Sequence, residues 1–339
     1  MNQAAAAKFK EFFETHNIPR YGQRSDLSRL NPVLREQLRL FQETFNFALE
    51  NEQLDVAGHV DHPPFHVDYV DAEVANANAF RYGEYSFIAI SVPLIYELSD
   101  LCLVLSRSPL IAQLLAVQYS GENYNQLHAV MFAIITAFVV AHEYTHHVFG
   151  HTSESDALNV FLGMASPSII TGSQWVQVDE LVADGYAIYH VLANYLGKLN
   201  VNSPNQFFAL NADKSCLTDE QMFATIVVTV AGLWLTWPEQ KPDLVKIYGL
   251  DHPLVPARLK ALMHESIGWC RQNRHELEEF MVGNFQALLS GAAQAVLGEK
   301  SNQVWAEQTA FLKSPDGTRY VSALMNGVDR FRDVLKSRG

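Results

Sequence analysis

The chain has 339 residues, 48% hydrophobic and 18% charged, which is material for a large buried core in one or two domains. A formal net charge of −13 disfavours nucleic acid and anionic membrane surfaces as partners. Cys102, Cys216 and Cys270 are odd in number and share no C-x-x-C spacing, and the opening MNQAAAAKFKEFFE has no apolar run of the secretory kind. A cytoplasmic protein with reduced thiols is expected.

Residues 3–16 and 32–50 read as helices, the second with Asn31 as cap, Pro32 in the first turn, and Leu34, Leu38, Phe41 and Phe45 at helical spacing. Val67–Val70 and Phe87–Ser91 have the β-branched and aromatic content of short strands. Helices are predicted near 92–118, 125–150, 175–197 and 219–235. Amphipathic helices follow near 256–297, 302–313 and 319–336. The apolar runs Ala129–Ala141 and Phe223–Leu235 fall short of the roughly 20 residues that a bilayer requires, so no transmembrane segment is expected.

The most informative element is the helix that begins with MFAIITAFVVA at 131–141. It is apolar on every face, as a central buried helix must be. It runs directly into His142-Glu143-Tyr144-Thr145-His146, an H-E-x-x-H pattern. Helical positions i and i+4 project from one side, so His142 and His146 converge as two imidazole ligands suited to Zn²⁺. Glu143 stands beside the first ligand, where its carboxylate can act as general base on a water molecule.

Such a site demands a third ligand. One solution places Gly three and His six residues after the second histidine, but those positions hold Phe149 and Thr152. The other takes a glutamate from a second helix, and Asp179-Glu180-Leu181-Val182-Ala183-Asp184-Gly185-Tyr186-Ala187 supplies one. Glu180 and Asp184 are i and i+4, on a face that Ala183 and Ala187 keep small enough for close helix approach. Glu180 is predicted as the third metal ligand, and Asp184 as the carboxylate that fixes the tautomer of a ligand histidine.

With these residues in place, the chain resembles the gluzincin metallopeptidases of the HtpX and CAAX-prenyl-protease type, which join H-E-x-x-H to a later E-x-x-A-D, here Glu180, Ala183 and Asp184. It is also similar, in size and in carrying H-E-x-x-H, to Lit-like phage-exclusion peptidases. Further matches are Val67–Asp71, then Asn78-Ala79-Phe80, then Ser86–Ser91, and downstream His252-Pro253 followed by Arg258. The resemblance covers roughly 66–265. It implies a mostly helical α+β, zincin-like domain at 66–265, with helical segments at 1–65 and 266–339. It also implies that His252 donates to the oxyanion, with Arg258 organising it through a carboxylate. Asn78 and an exposed edge strand carrying Phe87, Ile88, Ala89 and Ile90 would bind an extended peptide. Two departures stand out: no membrane span accompanies the motifs, and 157–174 is rich in small and turn-forming residues.

Other histidines fit plainer roles. His59, His62 and His66 are expected in a surface loop, and His147 and His151 on the surface or behind the ligands, pointing away from His142 and His146. The function implied is a zinc endopeptidase acting on a peptide or protein. The alternatives are a non-catalytic zinc-containing binding module, or a protease restricted to one host or phage protein and silent in generic assays.

Overall fold

The computed structural model describes residues 3–16, 23–56, 64–118, 121–149, 173–197, 217–236, 250 and 252–338. In chain order these form α1 (Gln3–His16), α2 (Pro32–Val56), β1 (Phe65–Val70), β2 (Ala77–Tyr82), β3 (Tyr85–Ser91), α3 (Val92–Ser106) and α4 (Pro109–Leu114). The order continues with α5 (Gly121–Val148), α6 (Ser173–Leu196), α7 (Asp219–Leu235), α8 (Val255–Asn273), α9 (His275–Leu297), α10 (Ser301–Lys313) and α11 (Pro315–Arg338). The chain is thus mostly helical with one small sheet, an α+β arrangement. The interval 157–172, His59, His62 and His151 lie outside the described residues.

Local chemistry sets the boundaries. The Asn31 side chain accepts the Val33 N–H at 2.9 Å and starts α2. Ser91 ends β3 and caps α3, accepting the N–H groups of Leu94 and Asn76. Thr218 and Gln221 form a reciprocal capping box at the start of α7. Two predicted long helices are each divided in two. Residues 92–118 break at Ser108-Pro109, where proline cannot donate and Ser108 instead caps α4. Residues 256–297 break at Arg274, whose backbone leaves the helical region at φ −147, ψ 68 and whose guanidinium lies 2.5 Å from the Leu196 carbonyl and pairs with Asp219 and Glu276.

The sheet order is β1-β3-β2, with β1 parallel and β2 antiparallel to β3. Gly83, at φ +59, sits in the turn between β2 and β3. One sheet face meets α1, whose Phe9, Phe12 and Phe13 pack on Val70, Phe80, Phe87 and Ala89. The other face, through Phe65, Val67, Tyr69, Ile88 and Ile90, joins the main core with α2, α3, α5 and α7.

This layering corrects the expected substrate edge. Phe87, Ile88, Ala89 and Ile90 are each 0% exposed and belong to the central strand, paired on both sides. Their unbroken apolar run is what a strand buried on both faces requires. Among the described residues the edge strand that contacts α5 and pairs on one side alone is β2.

α5 lies at the centre, packed against α3, α6 and α7. By length and composition alone α5 and α9 could each cross a bilayer, but 83% of the most apolar stretch of α5 is buried inside the protein. α6 lies along α5, and a separate cluster of Val178, Leu181, Ala257, Ala261, Leu324 and Val328 joins α6 to α8 and α11. α2 and α11 therefore share cores with the helices that carry the predicted ligands, whereas α1 packs in a separate cluster with the sheet.

Candidate metal centre

α5 and α6 bring His142, His146 and Glu180 together in a half-buried pocket. The two Nε2 atoms are 3.2 Å apart. Glu180 Oε2 lies 3.5 Å from His142 Nε2, and Glu180 Oε1 lies 3.4 Å from His146 Nε2. A tetrahedral ion with ligand bonds of about 2.0–2.1 Å holds its ligand atoms about 3.3 Å apart. The three donors thus stand at the spacing of a shared cation, and a buried His-His-Glu group of this kind can hold a metal ion.

The surrounding charges favour that occupant. Burial opposes a charge on His142, but Asp184 and Glu180 outweigh it and push the imidazole up to about 10. Burial likewise works against ionised Glu180, yet His252, His142 and His146 hold its carboxyl well below the usual range. Asp179, next in sequence, is pushed up to about 6 by burial, a rise that His146 opposes and Glu180 reinforces. The carboxylates that hold a proton on His142 are thus also placed to compensate a cation bound in its stead.

Asp184 occupies the place expected for it, one helical turn after Glu180. Its Oδ1 lies 3.1 Å from His142 Nδ1, on the far side of the ring from Nε2. Arg258, 2% exposed, clamps the same carboxylate through Nε at 2.6 Å and a second nitrogen at 2.5 Å, while its guanidinium lies 5.0 Å from the centre of the Trp234 ring. Burial opposes ionised Asp184, but Arg258 and His142 keep its carboxyl low. A planar fork on a carboxylate is the geometry for which arginine is suited and lysine is not. The carboxylate that Arg258 organises is thus the one behind His142, which differs from the expectation that it would serve His252. Arg258 lies within the first turn of α8 and faces α6, whereas His252 precedes that helix.

Glu143 stands on the same turn of α5, and burial raises its carboxyl above the usual range. It accepts a hydrogen bond from the backbone N–H of Ala79 on β2. In an antiparallel pair alternate residues turn their backbone groups outward. With Ala79 turned toward α5, residues Ala77, Ala79 and Arg81 form the outward set of the free edge. Asn78 shares the strand, but its side chain is buried and bonded to Asn76 at 3.2 Å.

His252 sits at the rim, with its side chain 48% exposed and Nδ1 2.9 Å from Glu180 Oε2. It reaches the centre through the third ligand. His147 corrects the expectation of a surface role: it is 0% exposed, and its Nε2 lies 2.9 Å from the Phe87 carbonyl, tying α5 to the central strand. Five residues after His142, it falls on the face of α5 opposite the ligands, a position readable as inward only once the sheet is in place. His66 also departs from the expected loop. It lies on β1, 1% exposed, under Phe9 and Phe87 and 3.4 Å from Asp68.

Comparison with protein-family models, with curated proteins and with solved structures finds no match to this chain, so the reading of the centre stands on its own geometry.

Proposed function

We propose that this chain is a zinc-dependent endopeptidase whose metal is held by His142, His146 and Glu180. The observation that carries the reading is the approach of three side chains, with the two Nε2 atoms 3.2 Å apart and each 3.4–3.5 Å from one Glu180 oxygen, and with Glu143 on the same helical turn. Three nitrogen and oxygen ligands suit Zn²⁺ and leave one coordination position for water or substrate. When bound, the ion would supply Lewis acidity toward a water and a scissile carbonyl.

The chain's own residues provide the rest of the chemistry. Glu143, its proton affinity raised by burial, takes a proton from the attacking water as the C–O bond forms. It passes that proton to the amine nitrogen as the C–N bond breaks, leaving a new carboxyl and a new amino terminus. His252, at the rim, donates to the oxygen on which negative charge develops. Asp184 and Arg258 hold the His142 ring in register. The outward carbonyl groups of Ala77, Ala79 and Arg81 on the β2 edge receive an extended peptide as an added strand, the N–H groups of Ala77 and Ala79 being held by Asn76 and Glu143. The substrate is accordingly a peptide or protein with an accessible extended segment.

The test compares new protein termini in cells expressing wild type or Glu143→Gln, alongside metal analysis of both proteins. About one zinc per chain is expected in each, with new termini in the wild type alone. A wild type that binds no zinc under non-chelating conditions, or a variant that cleaves undiminished, would overturn the assignment.

A further inference from the structure

The segment that carries His252 is held at both ends by two buried side chains that come from elsewhere in the chain. Gln177, 0% exposed and one turn before Glu180 on α6, donates its Nε2 to the Leu250 carbonyl at 2.9 Å. Tyr320 on α11, also 0% exposed, donates its hydroxyl to Gln177 Oε1 at 2.7 Å and accepts the Leu254 N–H at 3.2 Å. A hydrogen-bonded path therefore runs from Leu250 through Gln177 and Tyr320 to Leu254, with His252 between its ends.

The C-terminal helix is seated closely enough to make this path stiff. A Cβ added at Gly327 would come within 2.5 Å of the Val178 side chain, so the α6 side chain sits directly on the α11 backbone. Further along, the Phe331 ring lies 5.0 Å from Phe149, three residues beyond His146. α11 thus contacts α6, the end of α5 and the His252 segment, the three pieces that converge on the metal centre. Apolar Val178, Leu254, Ala257 and Leu324 surround Tyr320 in the same cluster. Phenylalanine would satisfy that packing, whereas the tyrosine hydroxyl makes two bonds that both lead toward the centre.

We propose that Gln177 and Tyr320 are positioning residues that set His252 against Glu180, and that α11 is a brace whose seating controls the geometry of the site. The catalytic consequence rests on the metallopeptidase reading, but the brace itself does not.

The decisive experiment is amide hydrogen exchange followed by mass spectrometry on the full-length wild type and Tyr320→Phe, with Gln177→Leu as a second variant that cuts the path at its other side chain. Tyr320→Phe keeps the ring and removes a hydroxyl that both accepts from Leu254 and donates to Gln177, so a peptide covering 250–256 should exchange about tenfold faster. Peptides from 131–141 in α5 should be unchanged, and zinc bound per chain should stay at the wild-type value. Once a cleaved substrate is identified, kcat should fall by about tenfold or more with KM unchanged, since His252 acts where charge develops. Unchanged protection at 250–256 in both variants would overturn the proposal. So would loss of protection spread evenly through α6 and α11, which marks general loosening, or an effect on KM alone. If the wild type binds no zinc and cleaves nothing, the function assigned above fails while the exchange pattern still decides whether the brace exists.

Discussion

The contact most exposed to a quantitative test is the clamp of Arg258 on Asp184 behind His142. Both side chains are 2% exposed, and the arginine contributes two hydrogen bonds to the carboxylate. Replacing Arg258 by Met conserves much of the volume but leaves a buried carboxylate without its guanidinium partner, a change that costs about 3–5 kcal/mol. In a chain of this size that corresponds to a fall in Tm of roughly 4–7 °C. Arg258→Lys keeps the charge and loses the fork, so its cost should be intermediate, and it supplies a folded variant if Met proves too damaging. Asp184→Asn should weaken metal binding by about 10–100-fold, because the support behind the His142 ring is lost. The double variant Arg258→Met, Asp184→Asn should be less destabilised than the sum of the singles, by on the order of 1–3 kcal/mol of coupling. Chemical denaturation gives the stabilities, and competition with a zinc chelator gives the affinities. Additive stabilities, or an Asp184→Asn variant that binds zinc like wild type, would refute the clamp as the support of the ligand histidine.

Metal affinity should rise with pH, because Asp184 and Glu180 hold the metal-free His142 imidazole up to about 10 and an incoming ion must displace that proton. Chelator competition should show about a tenfold gain per pH unit between pH 6 and 9, and a flat profile would contradict the charge balance assigned to the pocket. His252→Phe should lower kcat by on the order of 10²–10³ with little change in KM or zinc content. Near-normal kcat with a reduced Tm would instead make that residue structural. Acid stability has its own reporter in His190, which is 8% exposed and lowered to about 4 by burial, so it stays neutral in the fold while the unfolded chain protonates below about 6.5. Stability attributable to it is thus present above about pH 6.5 and lost as pH falls, by roughly 2 kcal/mol at pH 5. His190→Phe should flatten the difference in stability between pH 7 and pH 5, and an unchanged difference would remove His190 from the account.

What the sequence made legible here is what helical periodicity carries. His142 and His146, Glu180 and Asp184 are each i and i+4, so once two helices are recognised their ligand faces follow, and both pairs meet as expected. The bounds of α1 and α7 match the ranges 3–16 and 219–235 read from the sequence, and the start of α2 follows its cap Asn31. Strand order was not, because a strand's own residues report how buried it is and not which strands flank it. The apolar run 86–91 marked β3 as a strand, but only the register with both β1 and β2 shows that it is central. Ala79 acts through its backbone N–H, which no residue type announces. The partners of the rim are less visible still. Arg258 reaches Asp184 across 74 positions, and Tyr320 reaches Gln177 across 143. Such pairs bridge separate helices, so no local pattern encodes them: Asp184 and Arg258 stand in separate motifs that do not announce their pairing, and Gln177 and Tyr320 read as further side chains on amphipathic faces. The candidate ligands can therefore be read from spacing, while the elements that hold them together become apparent only when the helices pack.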